Sequence, residues 1–409
     1  MLSAKSILFE QIKKLDVNNI DINIKYSTNN NIYNYINYVQ IKKLNDIKEY
    51  ICNLKNWNIY RKLFTPLTLL NICNTKYNNI GIFNKKVLSR SYFKMIEIQN
   101  VYNIFKKFNY NIKAVFIAEA PGGFIESFYD LRKLYNDNYY GISLIKKTKN
   151  IPNWNNLKKK NFERLELLYG HDNTGDIYKL INILNYINKI GENSCDIVTA
   201  DGGFNFTLDY NNQEYNFLKL FLCEIILGLK LQKLGGIFII KCFDLTHIIG
   251  LKLFYLLCHL YEQVIITKLK TSRQTNSERY IICKNLKIIL NNNIIKKLYE
   301  IIIRWDNNYN NINDIFNFSL NNNYIKNMEK YNKWFFKKQI DIYNIIYSID
   351  LNIKKKYILN LIKKIILENI KKNILFCKSN NLCINNDSYI LNTNINIIIN
   401  KYFNIKSNY

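Results

Sequence analysis

The stretch KAVFIAEAPGGF, residues 113–124, joins an apolar run to a pair of glycines. An apolar run of this length predicts a buried strand over 114–120, and the glycines predict a tight turn into a helix over 125–135. Outward from it, strands are predicted over 139–144, 196–200, 236–242, 263–269 and 279–283, and helices over 217–234 and 245–261. Because strands separated by helices of this length form parallel βαβ units, the sequence predicts a doubly wound α/β sheet.

Glycine content divides the chain into three parts. Most of the 13 glycines lie between Gly122 and Gly236, which marks residues 85–288 as the candidate catalytic domain with tight backbone turns. Residues 1–84 are predicted to form a helical N-terminal extension, and residues 289–409 a helical C-terminal region rich in Asn, Ile and Lys. In that region Ile358, Leu361, Ile362, Ile365 and Ile366 form an amphipathic stripe. We expect this helix to pack on its own domain, with a partner-binding helix as the alternative.

Composition bounds the class of protein. Among the 409 residues, 48% have apolar side chains, which excludes wholesale disorder. The formal net charge of +27 indicates a polyanionic partner such as nucleic acid. Only seven of the 58 basic residues are arginines, and Asn, Ile, Lys and Tyr dominate, as an AT-rich genome would produce. Part of the positive charge therefore reflects composition rather than a partner.

The cysteines and the hydropathy pattern indicate the cellular compartment in which the protein is expected. The nine cysteines form no CxxC pair and only three histidines occur, so we expect reduced thiols and no metal site. Lys241, Asp244 and Lys252 interrupt the best apolar stretch, so no membrane helix is expected. The N-terminus has no signal-peptide pattern. These features predict a soluble, cytoplasmic protein.

Charged residues and glycines recur at predicted strand ends. Gly122 and Gly123 follow the first strand of the sheet, where an open α/β fold binds a nucleotide-like cofactor, although such a turn alone is also compatible with a tight connection. Asp201 and Lys241 end two later strands at the same edge. A lysine at a strand end often extends to solvent. Here the presence of Asp201 at the same edge of the sheet favours a functional site instead. Glu278 by itself fits a solvated turn, and Lys94 fits a surface lysine.

Taken together, these motifs resemble the FtsJ-like, S-adenosylmethionine-dependent RNA ribose 2′-O-methyltransferases, in particular the Adrift-type cap methyltransferases. The strings TADGGF, GGIFIIKCFDL and TSRQTNSERYIICK carry the resemblance, which covers residues 85–288. It implies a Rossmann-like methyltransferase sheet and a catalytic tetrad of Lys94, Asp201, Lys241 and Glu278. In that tetrad Lys241 would accept the proton of the ribose hydroxyl, its pKa lowered by burial and by Lys94, while Asp201 and Glu278 orient the lysines.

The resemblance also implies an S-adenosylmethionine site. Asp176 corresponds to the family's adenine contact, and Asp201 lies between cofactor and substrate. The second strand offers no acidic residue for the ribose, and Glu119 replaces the first alanine of the family's AGPGGF variant. The remaining residues expected to surround the cofactor are Ala120, Pro121, Gly122, Gly123, Phe124 and Gly141.

The resulting hypothesis is an mRNA cap 2′-O-methyltransferase acting on the first or second transcribed nucleotide of capped mRNA. Two alternatives stay open: a ribosomal or transfer RNA modifier, and an idle RNA-binding subunit of a capping complex. Candidate aromatic platforms for the cap are Tyr92, Tyr139, Trp154 and Tyr169. The terminal regions are candidate docking surfaces for other capping enzymes. The composition suggests a cytoplasmic virus or genetic element, which places the protein in the host cytoplasm or the virion.

Overall fold

The computed structural model describes residues 6–9, 15–17, 19–26, 35–70, 81–145, 151–204, 212–305, 312–353 and 355–402. Its strands are β1 (Ser6–Phe9), β2 (Ile22–Tyr26), β3 (Lys113–Ile117), β4 (Asn138–Ile142), β5 (Leu165–Leu168), β6 (Cys195–Ala200), β7 (Gln232–Cys242), β8 (Tyr261–Thr267), β9 (Arg279–Leu286) and β10 (Ile312–Phe316). Its helices are α1 (Tyr38–Cys52), α2 (Trp57–Leu63), α3 (Ser91–Tyr102), α4 (Gly123–Leu131), α5 (Asn155–Lys158), α6 (Leu180–Ile190), α7 (Gln213–Leu231), α8 (Ile248–Leu260), α9 (Asn292–Trp305), α10 (Asn322–Leu351), α11 (Lys356–Ser379), α12 (Tyr389–Asn392) and α13 (Ile395–Tyr402).

An eight-stranded sheet in the order β1-β8-β9-β7-β6-β3-β4-β5 forms the centre of the molecule. Strands β3 to β8 run in one direction, and β9 lies antiparallel between β7 and β8. The chain leaves β3 toward β4 and β5 and then returns to β6 on the other side of β3. Open sheets bind ligands at the carboxyl ends of strands where the winding reverses in this way. The predicted doubly wound fold is confirmed.

The central strands form where the sequence is continuously apolar. All six residues of β6 are buried, and so are Ala114 to Ile117 of β3. Strands covered by helices on both faces need apolar side chains on both faces, which explains why these strands do not alternate. Their buried runs stop at the sheet edge, where Glu119 and Asp201 follow.

The two terminal regions contain short strands in addition to the predicted helices. Residues 1–84, expected to be helical, also contribute β1 and β2, and the C-terminal region contributes β10. Strand β1 extends the main sheet by pairing with β8, and β10 pairs with β2 in a separate ribbon. These strands have four or five residues. Segments that short carry too little periodicity to be predicted and depend on long-range pairing.

The two terminal regions pack on each other in a second hydrophobic core. Helix α11 buries Ile358, Ile362 and Ile366 against residues of the N-terminal segment such as Leu63. Asn369 Nδ2 also donates to the carbonyl of Leu63 at 2.8 Å. The amphipathic stripe therefore packs within its own chain, which confirms the first of the two readings. Within the described ranges, no helix has the length and apolarity needed to cross a bilayer.

The stripe provides a test of this packing. Ile362 is fully buried, whereas its neighbour Leu361 is 37% exposed. We expect Ile362→Ala to lower the free energy of unfolding by about 2–5 kcal/mol through lost burial and a cavity. Leu361→Ala is the matched control and should cost far less. Urea denaturation followed by circular dichroism measures both, and equal effects would contradict the packing.

Candidate active site

The four residues of the predicted tetrad meet at the carboxyl edge of the sheet. Lys94 on α3 forms an ion pair of 2.9 Å with Oε2 of Glu278, just before β9. Nζ of Lys241, near the end of β7, donates to the carbonyl of Asp201 at 2.7 Å and lies 3.2 Å from its Oδ1. Lys241 and Glu278 are buried and the other two are half-buried. The readings of Lys241 as a solvent-extended lysine and of Glu278 as a solvated turn are therefore wrong.

Tyr280 joins these two ion pairs, a role that was not predicted from the sequence. Its hydroxyl accepts a hydrogen bond from Lys94 Nζ at 3.0 Å and donates one to Asp201 Oδ1 at 2.6 Å. The ring is fully buried and lies beneath Lys94, whose Nζ is 5.4 Å from the ring centroid. A sequence signal was available, because Tyr280 lies at the start of the predicted strand and only two residues after Glu278.

The loop before β9 is held onto helix α3. Glu97, three residues after Lys94, accepts hydrogen bonds from the backbone N–H of Lys270 at 2.8 Å and of Thr271 at 2.9 Å. Ser272 Oγ donates to Glu278 Oε1 at 2.6 Å. These bonds fix the loop against the helix that carries Lys94, so that the Lys94–Glu278 pair has a defined geometry.

The electrostatics of Lys241 differ from the sequence expectation. Burial lowers the pKa of Lys241, but the carboxylates of Asp201, Glu278 and Glu224 outweigh it, and the net pKa is raised. The expected net lowering by burial and Lys94 is thus wrong, because Lys94 pairs with Glu278 while three carboxylates act on Lys241. At Glu278 the balance runs the other way: burial raises the pKa, but Lys94, Lys241 and Lys268 lower it to a net value well below the usual range.

The glycine turn after β3 is packed tightly against its surroundings. Gly122 has a backbone φ of +104°, which residues with a Cβ atom rarely adopt. A Cβ on Gly123 would lie 2.2 Å from Ser91 Oγ and 2.7 Å from the backbone nitrogen of Tyr92. Both positions therefore require glycine. Ala120 and Pro121 are half-buried on this turn, and the ring of Phe124 is fully buried.

Glu119 lies beneath this turn with one carboxylate oxygen unsatisfied. Its Oε1 accepts hydrogen bonds from Phe124 N at 2.9 Å and from Ser91 Oγ at 3.2 Å. Among the described residues no donor reaches Oε2, although the side chain is only 2% exposed. Burial and the charge of Asp201 raise the pKa of Glu119 to about 8. A buried acceptor of this kind fits a cationic ligand group.

Two further cofactor candidates lie along the β4 and β5 ends of the sheet. Asp176 follows Gly175, whose Cβ position would be 1.9 Å from the carbonyl oxygen of Ser143, so the Asp176 loop lies against the end of β4. Gly141 is inside β4, where a Cβ would meet Leu167 at 2.8 Å. Core packing accounts for this glycine, and its cofactor role stays a prediction, as does that of Asp176.

The proposed aromatic platforms are mostly part of the core. Tyr92 and Tyr139 are each 2% exposed, and Trp154 is 3% exposed. Side chains buried to this degree cannot stack on a base in this conformation. Tyr169 is half-buried, with Lys158 Nζ 5.5 Å from its ring centroid.

The sheet and the cluster define the class of protein. Six strands in one direction, one antiparallel strand between the last two, and a glycine turn beside a charged cluster form a Rossmann-like methyltransferase fold. Residues 87–286 match the family model described as FtsJ-like methyltransferase. The match covers 200 of the 409 residues and confirms, for this segment, the family that the motifs predicted.

Several known proteins are similar to this part of the chain. Probable methyltransferase EP424R of African swine fever virus (isolate Warthog/Namibia/Wart80/1980) is 30% identical over 248 residues, covering 55% of this chain and 56% of the viral protein. Human cap-specific mRNA (nucleoside-2′-O-)-methyltransferase 1 is 36% identical over 180 residues, covering 42% and 21% of the two chains. The protein of that name from Trypanosoma brucei is 31% identical, covering 41% and 45%. The match thus spans about half or less of the length of each of these relatives.

Among solved structures, a ribosomal RNA methyltransferase from Plasmodium falciparum aligns with a TM-score of 0.36 and 20% identity. The alignment covers 49% of this chain and 98% of that chain.

Proposed function

We propose that this protein is an S-adenosylmethionine-dependent mRNA cap methyltransferase that modifies the ribose 2′-hydroxyl of the first or second transcribed nucleotide. The observation that carries the proposal is the joined cluster of Lys94, Glu278, Tyr280, Asp201 and Lys241 beside the glycine turn. The relatives named as cap-specific methyltransferases support the choice of substrate. The complete tetrad also argues against an idle subunit. We propose the host cytoplasm as its place of action, in keeping with the viral relative.

The residues around the turn fit S-adenosylmethionine. When bound, this cofactor supplies a methyl group on a sulfonium. Oε2 of Glu119 offers a buried acceptor for a cationic amino group, and the glycines let the backbone approach the ligand closely. Asp176 is assigned to the adenine end from the family pattern. The tetrad lies next to the turn through Asp201, whose charge acts on Glu119.

The cluster suits the activation of a ribose hydroxyl. Such a hydroxyl is a poor nucleophile near neutral pH, so it needs alignment and a proton acceptor. Neutral Lys241 is the proposed acceptor, because Asp201 holds its Nζ and Tyr280 fixes Asp201. Lys94 and Glu278 act as positioning residues. Since the surrounding carboxylates keep Lys241 protonated, its neutral form should become populated only as pH rises.

The substrate can be tested with three RNAs and tritiated S-adenosylmethionine. The RNAs carry a 7-methylguanosine cap, no cap, or the same cap with the first nucleotide already 2′-O-methylated. We expect label on the first RNA alone for a first-nucleotide enzyme, and label on the third for a second-nucleotide enzyme. Equal labelling of uncapped RNA would point to another RNA target. No labelling despite cofactor binding would favour the idle subunit.

Lys241→Arg tests the proton acceptor. A guanidinium keeps the positive charge but does not accept a proton near neutral pH, so single-turnover methyl transfer should fall by about 100-fold or more. The wild-type rate should rise roughly tenfold per pH unit from about pH 7 to 9, because the raised pKa leaves little neutral amine at pH 7. Cofactor affinity is the control for folding. A pH-independent rate in the wild type would contradict this role.

Tyr280→Phe tests the connection between the two ion pairs. The change removes one hydroxyl and leaves the buried ring in place. We expect kcat to fall by about 10-fold to 100-fold, the equivalent of one or two buried hydrogen bonds to charged groups. KM for RNA and the cofactor dissociation constant should stay within about twofold. A parallel rise in KM with unchanged kcat would indicate a role in RNA binding instead.

Glu119→Gln tests the cofactor contact. The carboxyl ionises with a pKa of about 8, so wild-type affinity for S-adenosylhomocysteine should increase from pH 6.5 to 8.5 as the negative charge forms. The glutamine variant lacks this charge and should bind more weakly above pH 8. Titration of the ligand's own amine affects both proteins equally, so the difference between them is diagnostic. Identical pH profiles, measured by calorimetry, would remove Glu119 from the cofactor site.

A further inference from the structure

Three of the seven arginines gather beside the tetrad, although lysine supplies nearly all the basic residues of this chain. They are Arg61, Arg90 and Arg273. Three others have carboxylate partners in the structure: Arg132 with Asp137, Arg279 with Asp244 and Arg304 with Glu300. Where composition favours lysine so strongly, a cluster of arginines is informative, because a guanidinium offers a planar fork of donors that an ammonium lacks.

Arg90 and Arg273 are brought together by the loop that also positions Glu278. Arg90 immediately precedes α3, and its Nη2 donates to the carbonyl of Thr271 at 3.4 Å. Arg273 follows Thr271 by two residues and is exposed. Lys94 lies one helical turn after Arg90, so the two basic side chains share a face of α3. The arginines therefore lie next to the Lys94–Glu278 pair.

Arg61 comes from outside the matched methyltransferase domain. It lies on α2, one turn after Trp57 and on the same face. The ring of Trp57 packs on Tyr343 with 6.1 Å between centroids. The hydroxyl of Tyr343 donates to the carbonyl of Thr275 at 2.6 Å. This chain of contacts places α2 near the loop that carries Arg273, and the charge of Arg61 acts on Arg90.

The three charges act on one another. Burial, together with the charges of Arg273 and Arg61, lowers the pKa of Arg90 to about 10, while Glu278 opposes them. Arg90 still stays cationic at neutral pH. Three positive charges held this close attract an anion. Phosphate is the anion that paired guanidiniums bind best, through bidentate hydrogen bonds.

We propose that Arg61, Arg90 and Arg273 bind a backbone phosphate of the substrate RNA and hold the strand beside the tetrad. The proposal rests on the proposed function and adds the N-terminal extension to the RNA-binding surface. The alternative phosphate ligand for these arginines is the triphosphate bridge of the cap. The exposed position of Arg273 and the helix α2 outside the domain favour the RNA backbone, which extends over the surface.

The test is the affinity of the full chain for a fluorescein-labelled, capped ten-nucleotide RNA, measured by anisotropy at several salt concentrations. We expect Arg61→Gln and Arg273→Gln each to weaken binding by about 5-fold to 30-fold at low salt. The slope of log affinity against log salt should decrease by roughly 0.7 for a lost phosphate contact on single-stranded RNA. Arg304→Gln is the matched control, since it removes the same charge from an exposed helix position. Arg61→Lys should recover part of the loss.

Competition with the dinucleotide cap analogue m7GpppA separates the two phosphate sources. If the arginines bind the RNA backbone, both variants should bind the analogue like the wild type and uncapped RNA more weakly. Weakened binding of the analogue alone, or variants that match Arg304→Gln throughout, would overturn the proposal. Unchanged affinity for S-adenosylhomocysteine shows that the variants are folded. Absence of methyl transfer by the wild type would instead refute the proposed function and leave these affinities interpretable.

Discussion

The pairing of β9 with β7 is the constraint on which the candidate site depends. In this antiparallel pair Lys241 lies opposite Tyr280, so both side chains project from the same face of the sheet. Asp201 follows β6, the neighbour of β7, and receives bonds from both residues. A shift of the β9 register by one residue would turn Tyr280 to the other face and break the connection to Lys94. Core packing around β9 is thus also what holds the cluster together.

The sequence was sufficient to predict the parts of the fold where burial determines the residue types. Strands β3 and β6 are covered on both faces and read as continuous apolar runs, and the glycine turn follows from the close approach of Gly123 to α3. The short strands β1, β2 and β10 gave no such signal because each depends on a partner far away in sequence. Local sequence patterns therefore could not predict those strand pairings.

The sequence predicted which four charged residues lie together at the sheet edge, but not their electrostatics. The tetrad residues could be chosen from strand-end positions and from the family pattern, whereas the sign of the Lys241 pKa shift depends on distances in space. Glu224, on α7, and Glu278 both act on Lys241, and neither is near it in sequence. Tyr280 was missed although its spacing from Glu278 was visible, because a tyrosine among 32 carries little information. The opposite holds for arginine, which is rare here, so that three in one place are significant.

The excess of carboxylates around the tetrad connects ligand binding with the state of Lys241. Glu119 and Glu224 are both buried, each has one oxygen without a donor among the described residues, and the pKa of each is raised to about 8 by burial. A buried carboxyl with an unsatisfied oxygen is energetically costly, so these two groups favour a cation between them. Of the two, Glu224 also raises the pKa of Lys241, together with Asp201 and Glu278. We expect a cation bound beside Glu224 to offset part of this negative charge and so to lower the pKa of Lys241.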